Sequence, residues 1–251
     1  MSQPVALVTG GGRGIGRAVA VALSDNGYAV ALTARSRAEL DETAAACSGP
    51  TLVHEGDITD GGFIEDLFSV VEAHLGSVDV LVANAGAGVS ASVVRTTDEQ
   101  WQRMLDLNLT APFRCVRRAL PAMIERRHGR IVVIASVAAK IGEPYIAAYT
   151  ASKHGVLGMV RSAATEVATK GVTVNAVCPG YVDTPMTAHT IDQIVAKTGR
   201  TSEEARATLA AKQPNGRLVT VDEVAEAVIA CVRNGAINGQ GINIDGGGTT
   251  A

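Results

Sequence analysis

Thr9 is followed by Gly10-Gly11-Gly12-Arg13-Gly14-Ile15-Gly16, and what flanks this loop restricts the fold more than any other part of the chain. Before it, Val5-Ala6-Leu7-Val8-Thr9 is a short apolar run that reads as a buried strand. Behind it, Arg17 to Asn26 carries apolar residues at helical spacing and stops at Gly27, the residue that ends a helix in the left-handed conformation at no steric cost. Strand, glycine loop and helix in this order form a phosphate cradle. With no side chains in the way, backbone N–H groups and the positive end of the helix dipole can reach an anion such as a pyrophosphate. Gly10, Gly12, Arg13, Gly14, Ile15 and Gly16 are the candidate cradle residues.

A second apolar strand, Tyr28 to Thr33, ends in Ala34-Arg35-Ser36-Arg37. In dinucleotide sites an acidic residue about 20 positions beyond the loop holds the adenosine ribose hydroxyls, and an arginine there accommodates a 2′-phosphate. No acid stands between Thr33 and Glu39, so Arg35 and Arg37, together with Arg13, read as a cationic patch that favours NADP(H) over NAD(H). The bland alternative is a set of arginines at a solvated helix start.

The rest of the chain keeps alternating. Strands are expected at Thr51–His54, Val78–Ala83, Arg130–Ser136, Gly171–Val177 and Gly241–Asp245, with helices at Leu40–Cys47, Gly62–Leu75, Asp98–Glu125, Tyr149–Lys170 and Val221–Arg233. Thr97-Asp98 is a plausible cap, and Pro112 and Pro121 are expected to kink the long helix. Continuously apolar strands, each followed by a helix, describe a parallel sheet covered on both faces. Sites on such sheets lie at the carboxyl ends of the strands, where the glycine loop, Asp57, Asn84, Ser136 and Pro179-Gly180 all fall.

Tyr149-Thr150-Ala151-Ser152-Lys153 opens a proline-free helical run. Residues four apart share a helix face, so the phenol and the ammonium can address one spot. A free phenol has a pKa of about 10, and a nearby cation brings it toward the working range of an acid–base group. From spacing alone, a solvated Tyr–Lys pair remains an open reading.

Taken together, Thr9-Gly10, Gly14-Ile15-Gly16, Asp57, Asn84-Ala85-Gly86, Asn108, Ser136, Tyr149, Lys153 and Pro179-Gly180 stand in the order of the short-chain dehydrogenase/reductase family, which the chain resembles over nearly its whole length. The resemblance implies a single α/β domain over residues 1–251, a Rossmann-type doubly wound sheet of about seven parallel strands. It also implies hydride exchange with a nicotinamide. It assigns a catalytic tetrad of Asn108, Ser136, Tyr149 and Lys153, in which Tyr149 exchanges the proton, Ser136 hydrogen-bonds the carbonyl oxygen, Lys153 bonds the ribose and Asn108 holds a water. Asp57, with Ile58 beside it, would meet the adenine. Asn84 would support the floor of the cofactor site, Val182 and Thr184 would meet the carboxamide, and Ala85, Gly86, Pro179 and Gly180 are further cofactor-binding candidates. Ala83, where many members carry a second Asn, is a small departure.

Residues 185–213 turn polar and helical, and are expected to cover the substrate as a lid, or else to form a solvated hairpin. The wording around Ser152-Lys153-His154-Gly155-Val156 and Asn175 to Gly180 is similar to the branch of 3-oxoacyl reductases and polyketide ketoreductases, which implies reduction of a β-keto acyl thioester. Oxidation of a hydroxyacyl thioester or an alicyclic alcohol is the alternative. A non-catalytic dinucleotide sensor is disfavoured by the intact tetrad. His154, His128 and His189 read as packing or surface residues.

At 251 residues the chain fits one large α/β domain, and 47% hydrophobic residues supply its core. A net charge of −3 gives no reason to expect nucleic acid or an anionic membrane as partner. No apolar run approaches the roughly 20 residues needed to span a bilayer, and Met1 to Pro4 leads straight into a strand, so a cytoplasmic protein is expected. Cys47, Cys115, Cys178 and Cys231 have no metal-ligand spacing and read as reduced thiols, with no metal site expected. Small residues along Tyr149–Lys170, among them Ser152, Gly155, Gly158, Ala163 and Ala164, lead to the expectation of a homotetramer packed through this helix and Asp98–Glu125.

Overall fold

The computed structural model describes residues 3–249, so the leading Met1-Ser2 lies outside the described residues. Seven strands, β1 (Val5–Thr9), β2 (Ala29–Thr33), β3 (Thr51–Val53), β4 (Val78–Ala83), β5 (Gly129–Ile134), β6 (Val172–Pro179) and β7 (Gly241–Ile244), form one parallel sheet in the order β3-β2-β1-β4-β5-β6-β7. The order reverses between β1 and β4, which leaves a crevice at their carboxyl ends.

The alternation within β1 explains both layers. Val5 and Leu7 point into one core, with Ile64 and Phe68 of α3 (Gly61–His74), Cys115 and Met123 of α5 (Ala111–Glu125), and Val156 and Val160 of α6 (Ala147–Val167). Ala6 and Val8 point into the other, with Val19 and Leu23 of α1 (Gly14–Asp25), Leu40 of α2 (Arg37–Ala46) and Val224 and Val228 of α9 (Val221–Arg233). Leu7, Leu32 and Leu81 are fully buried. Each such side chain contributes about 1.5–3 kcal/mol relative to exposure, and this two-sided burial is why the strands are continuously apolar.

The expected helix from Asp98 to Glu125 is interrupted just before the first of its prolines. After α4 (Asp98–Leu105), residues Asp106–Thr110 form a π-helical turn, and α5 then resumes. Pro112 falls in the first turn of α5, directly after the π turn, and Pro121 lies within α5. A π turn inserts an extra residue into the helical ladder, and such turns concentrate at functional positions. Asn108 is at its centre and fully buried.

Beyond β6, α7 (Pro185–Thr198) and α8 (Ser202–Ala210) form a hairpin turned by Gly199 at φ 70. The sequence suggested no strong apolar face here. The hairpin nonetheless has a small core of its own, Ile191, Ala205, Leu209 and Leu218, against which Tyr181 and Ile194 pack. No helix among the described residues is long and apolar enough to cross a membrane.

Candidate active site

Ser136, Tyr149, Lys153, Asn108 and Asn84 line one crevice of about 120 Å³ at the carboxyl ends of the central strands, bordered by Ile15, Gly86, Pro179, Gly180, Val182 and Thr184. Ser136 follows β5 and caps a short 3₁₀ turn, its Oγ accepting from Ala138 N at 3.1 Å, which leaves the hydroxyl proton free to donate elsewhere. Tyr149 is in the first turn of α6, and Lys153 is one turn further on.

Lys153 is 5% exposed, and its Nζ donates to Ile134 O at 2.8 Å and lies 5.7 Å from the centroid of the Tyr149 ring. Burial pulls its pKa down to about 8. Burial also pushes the Tyr149 phenol up, with a hydrogen bond to Ser136 acting the other way. The net shift of the phenol is therefore upward, because burial outweighs what lowers it. Both groups are desolvated, which disfavours phenolate and ammonium alike, and the ammonium is directed to a backbone carbonyl.

Two asparagines hold the floor. Asn108 Oδ1 accepts from Ala87 N at 3.1 Å and its Nδ2 donates to Ala87 O at 3.0 Å, so the side chain clamps the loop after β4. A Cβ on Gly86 would lie 2.9 Å from Asn108 Oδ1 and 3.7 Å from Lys153 Nζ, which shows how closely these three meet. Asn84 Nδ2 donates to Thr9 O at 2.9 Å and Gly10 O at 3.1 Å, while Thr9 Oγ1 accepts from both Asn84 N and Ala85 N at 3.0 Å. The ends of β1 and β4 are thereby joined beneath the glycine loop.

The loop itself fits a dinucleotide pyrophosphate. Gly10 and Gly14 have φ of 65 and 54, and a Cβ on Gly16 would stand 2.1 Å from Gly10 O. No side chain caps α1 and no acid occupies its first turn, so its leading N–H groups and dipole are available to an anion.

Of the three arginines expected to form a cationic patch, two are engaged with acids. Arg13 Nη1 is 3.2 Å from Glu39 Oε1, and Arg37 Nε is 2.8 Å from Asp41 Oδ1. Arg35 is exposed at the end of β2 and helps to hold the Asp57 carboxyl below its usual range, after the two hydrogen bonds from Thr59. Asp57 Oδ1 accepts those bonds, from Thr59 N at 2.9 Å and Thr59 Oγ1 at 2.8 Å, which fixes the turn next to the buried Ile58. Gly180, at the end of β6, donates its N–H to Ile244 O at 2.9 Å, and a Cβ on Gly14 would lie 3.4 Å from the Thr184 methyl.

Sequence reasoning missed the clamp that holds this loop from outside. Gly12 O accepts from Arg17 Nη2 at 2.8 Å and from Thr43 Oγ1 at 3.1 Å. Thr43 is a fully buried polar residue in α2, and a polar position on an otherwise apolar face was the available signal. A larger groove of about 880 Å³ between α1 and α9 is lined mainly by carboxylates and small apolar residues and contains no Ser, Tyr, Cys, His or Lys among the described residues.

A family model described as short chain dehydrogenase matches residues 4–195. The chain is 41% identical to the monensin polyketide synthase putative ketoacyl reductase of Streptomyces virginiae, covering 97% of this chain and 96% of that one. It is 36% identical to D-beta-hydroxybutyrate dehydrogenase of Rhizobium meliloti, covering 97% and 98%. Among solved structures, a variant of actinorhodin polyketide ketoreductase with NADPH superposes at a TM-score of 0.94, with 38% identity and 100% of both chains covered. With Asn108, Ser136, Tyr149 and Lys153 gathered in one crevice beside the glycine loop, the chain belongs to the short-chain dehydrogenase/reductase family.

Proposed function

We propose that this oxidoreductase reduces the ketone of a β-keto acyl thioester with NADPH, the crevice around Tyr149 being its active site. When bound, the nicotinamide supplies hydride to the carbonyl carbon. The negative charge that develops on the carbonyl oxygen is met by Ser136 as hydrogen-bond donor and by Tyr149 as proton donor. A phenol whose pKa is raised by burial is fully protonated at neutral pH, which suits it to give a proton rather than take one. The same residues run backwards on an alcohol once the phenol is deprotonated. Lys153 holds the nicotinamide ribose, and Asn108 positions the loop through Ala87.

The observation that carries the choice of substrate is the charge of the lining. Lys153 is the one cation among the described residues that line the crevice, and it is shared between the Ile134 carbonyl and, in this reading, the nicotinamide ribose. A free β-keto acid would bury its carboxylate without a partner, a cost of several kcal/mol that a thioester avoids. Met186, 51% exposed, adds apolar surface at the crevice, and the loops after β4 and β5 carry the exposed Val93, Val94 and Tyr145. The actinorhodin structure with NADPH and the monensin ketoacyl reductase support this reading, and the Rhizobium dehydrogenase supports the oxidative alternative.

Arg35 is the main contact for the 2′-phosphate, with Arg13 second because Glu39 competes for it. Asp57 receives the adenine amino group. The α7–α8 hairpin serves as the lid over a single domain, and two-fold contacts of α4–α5 and α6 build a homotetramer. The half-exposed Trp101 and Phe113 on those helices support the latter. Sedimentation equilibrium giving a fully active particle of about 26 kDa would overturn the tetramer.

The decisive experiment is steady-state reduction of β-keto thioesters, free β-keto acids and simple ketones with NADPH and NADH, in the parent and in Tyr149→Phe. Thioesters with NADPH should be preferred. Tyr149→Phe should lose about a hundred- to ten-thousand-fold in kcat with cofactor affinity nearly intact. Residual turnover within tenfold of the parent sinks the assignment of Tyr149.

A further inference from the structure

Three side chains outside the crevice are joined in a manner that the reaction does not use. Tyr181, in the turn after β6, donates its hydroxyl to Glu143 Oε2 at 2.9 Å. Lys212, just beyond α8, donates to that same oxygen at 3.2 Å and to the Tyr181 hydroxyl oxygen at 3.2 Å, with its Nζ 5.2 Å from the Tyr181 ring centroid. The side chains of Glu143 and Lys212 are 23% and 44% exposed, so the group is partly withdrawn from water without being sealed off.

The three come from separate parts of the molecule. Glu143 lies in the loop that separates Ser136 from Tyr149. The same loop contains Tyr145 at φ 68, a conformation that costs a bulky residue energy, and Tyr145 O accepts from Ala91 N at 2.8 Å. Tyr181 belongs to the hairpin by its other atoms. Its ring packs on the hairpin core, and its carbonyl oxygen accepts from Val219 N at 2.9 Å and Gln213 Nε2 at 3.2 Å. Lys212 stands in the return segment of the hairpin. Met186 and Thr187, in the first turn of α7, form one wall of the crevice.

We propose that Glu143, Tyr181 and Lys212 are a positioning unit: they seat the α7–α8 hairpin on the loop between Ser136 and Tyr149 and thereby set how closely the crevice encloses the carbonyl substrate. None of the three touches the reacting atoms, so they act through α7 and the loop. Among the described residues the hairpin core contains four buried apolar residues, so a few side-chain bonds are a large part of what holds it down. The inference rests on the active-site reading above, but the position of the hairpin can be measured without it.

The test compares the parent with Glu143→Gln, Lys212→Met, Tyr181→Phe and the Glu143→Gln/Lys212→Met double variant. Hydrogen–deuterium exchange is followed over residues 185–219, with peptides from β4 and β5 as internal reference. Kinetics are measured with ethyl acetoacetate, a neutral β-keto ester. Each single variant should exchange roughly five- to tenfold faster over the hairpin while the strands stay unchanged. KM for the ester should rise by a similar factor, with kcat within about twofold and the cofactor KM unaltered. The double variant should be about as impaired as the worse single one, because the residues act as one unit. Unchanged exchange over 185–219, or a loss confined to kcat, overturns the proposal. Tyr149→Phe run in parallel separates the two readings: if it stays active the active-site assignment fails, and the exchange data still decide the role of the three residues.

Discussion

The cofactor side and the substrate side of the crevice are built to different tolerances. On the cofactor side, main chain packs on main chain. Gly10 O faces the Cα of Gly16 so closely that a methyl group would sit 2.1 Å away, and Gly12 O, Thr9 O and Gly10 O are each held by a side chain from another element. On the substrate side, the loop from Lys140 to Ile146 and the α7–α8 hairpin meet through the ends of long side chains. Backbone-to-backbone packing leaves no freedom to re-aim a group by substitution, whereas contacts between side-chain ends can change one at a time. A scaffold that must always hold the same dinucleotide gains from the first arrangement, and one whose substrate varies gains from the second.

The largest effect is expected where the first arrangement is violated. Gly16→Ala should destabilise the fold by about 3 kcal/mol or more, since the clash is with backbone that cannot move aside, and should remove cofactor binding. The partner measurement is Gly142→Ala, in the substrate-side loop, where a Cβ would meet nothing within 4 Å. Its expected effect is within about 0.5 kcal/mol. Urea unfolding of both, with a fluorescence titration of NADPH, decides the point. Similar losses for the two would erase the distinction between the sides.

Next in size is Lys153, which stands between the two sides. Its folded pKa of about 8 lies below the unfolded 10.5, so the unfolded chain binds more protons in between. Stability should therefore rise as pH goes from about 8 to 10.5, by an amount of order 3 kcal/mol that Lys153→Met removes from the difference curve. Reduction should decline as the ammonium is lost above about pH 8, and oxidation should rise toward alkaline pH as the raised phenol begins to ionise. Chemical denaturation of parent and Lys153→Met across this window checks the first. Rate profiles in both directions check the second. A stability difference that falls with pH would contradict the burial of a charged lysine.

The contrast also explains what could be read from the sequence. Glycine loop and apolar strands are local patterns that the chain order around them makes specific, the Tyr149–Lys153 spacing gained its meaning from that order, and all seven strands lie within a few residues of where the alternation puts them. The π turn at Asn108 was not legible, because periodicity marks a helix without showing where its ladder takes an extra residue, and the contact of the buried amide with Ala87 comes from the loop after β4. Nor was the pairing of Arg13 with Glu39, which depends on α2 packing its first turn against Gly12. The hairpin showed no strong apolar face because its core is assembled from α7, α8 and the return segment, with Ile191 contributed by the first and Leu218 by the last. Contacts of this kind depend on tertiary closeness, which periodicity does not encode.

On the cofactor side, a charge change should have a middle-sized effect. Arg35→Asp should lower the NADPH-to-NADH ratio of kcat/KM by roughly tenfold or more, about 1.4 kcal/mol for each tenfold. Arg13→Ala should do less, because Glu39 already draws on that guanidinium. A parent that prefers NADH, or an Arg13 effect larger than that of Arg35, would reverse the assignment.

The smallest effect is expected from the most conspicuous ion pair of the hairpin. Arg206, on α8, makes a two-pronged contact to Asp183 in the turn after β6, with Nη1 3.1 Å from Oδ1. The geometry is that of a strong pair, and each partner shifts the other in the expected direction, the aspartate down and the guanidinium up. Their side chains are however 48% and 56% exposed, and water screens what the geometry offers. An exposed pair of this type contributes about 0.2–1 kcal/mol. Asp183→Asn should therefore leave the urea midpoint almost unchanged, more so in high salt, and should alter hairpin exchange far less than Glu143→Gln does. The two pairs link the same hairpin to the body of the protein and differ chiefly in how much water reaches them. If Asp183→Asn loosens the hairpin as much as Glu143→Gln, burial is not what separates them, and the seating of the hairpin must be shared along its whole edge rather than concentrated at Tyr181.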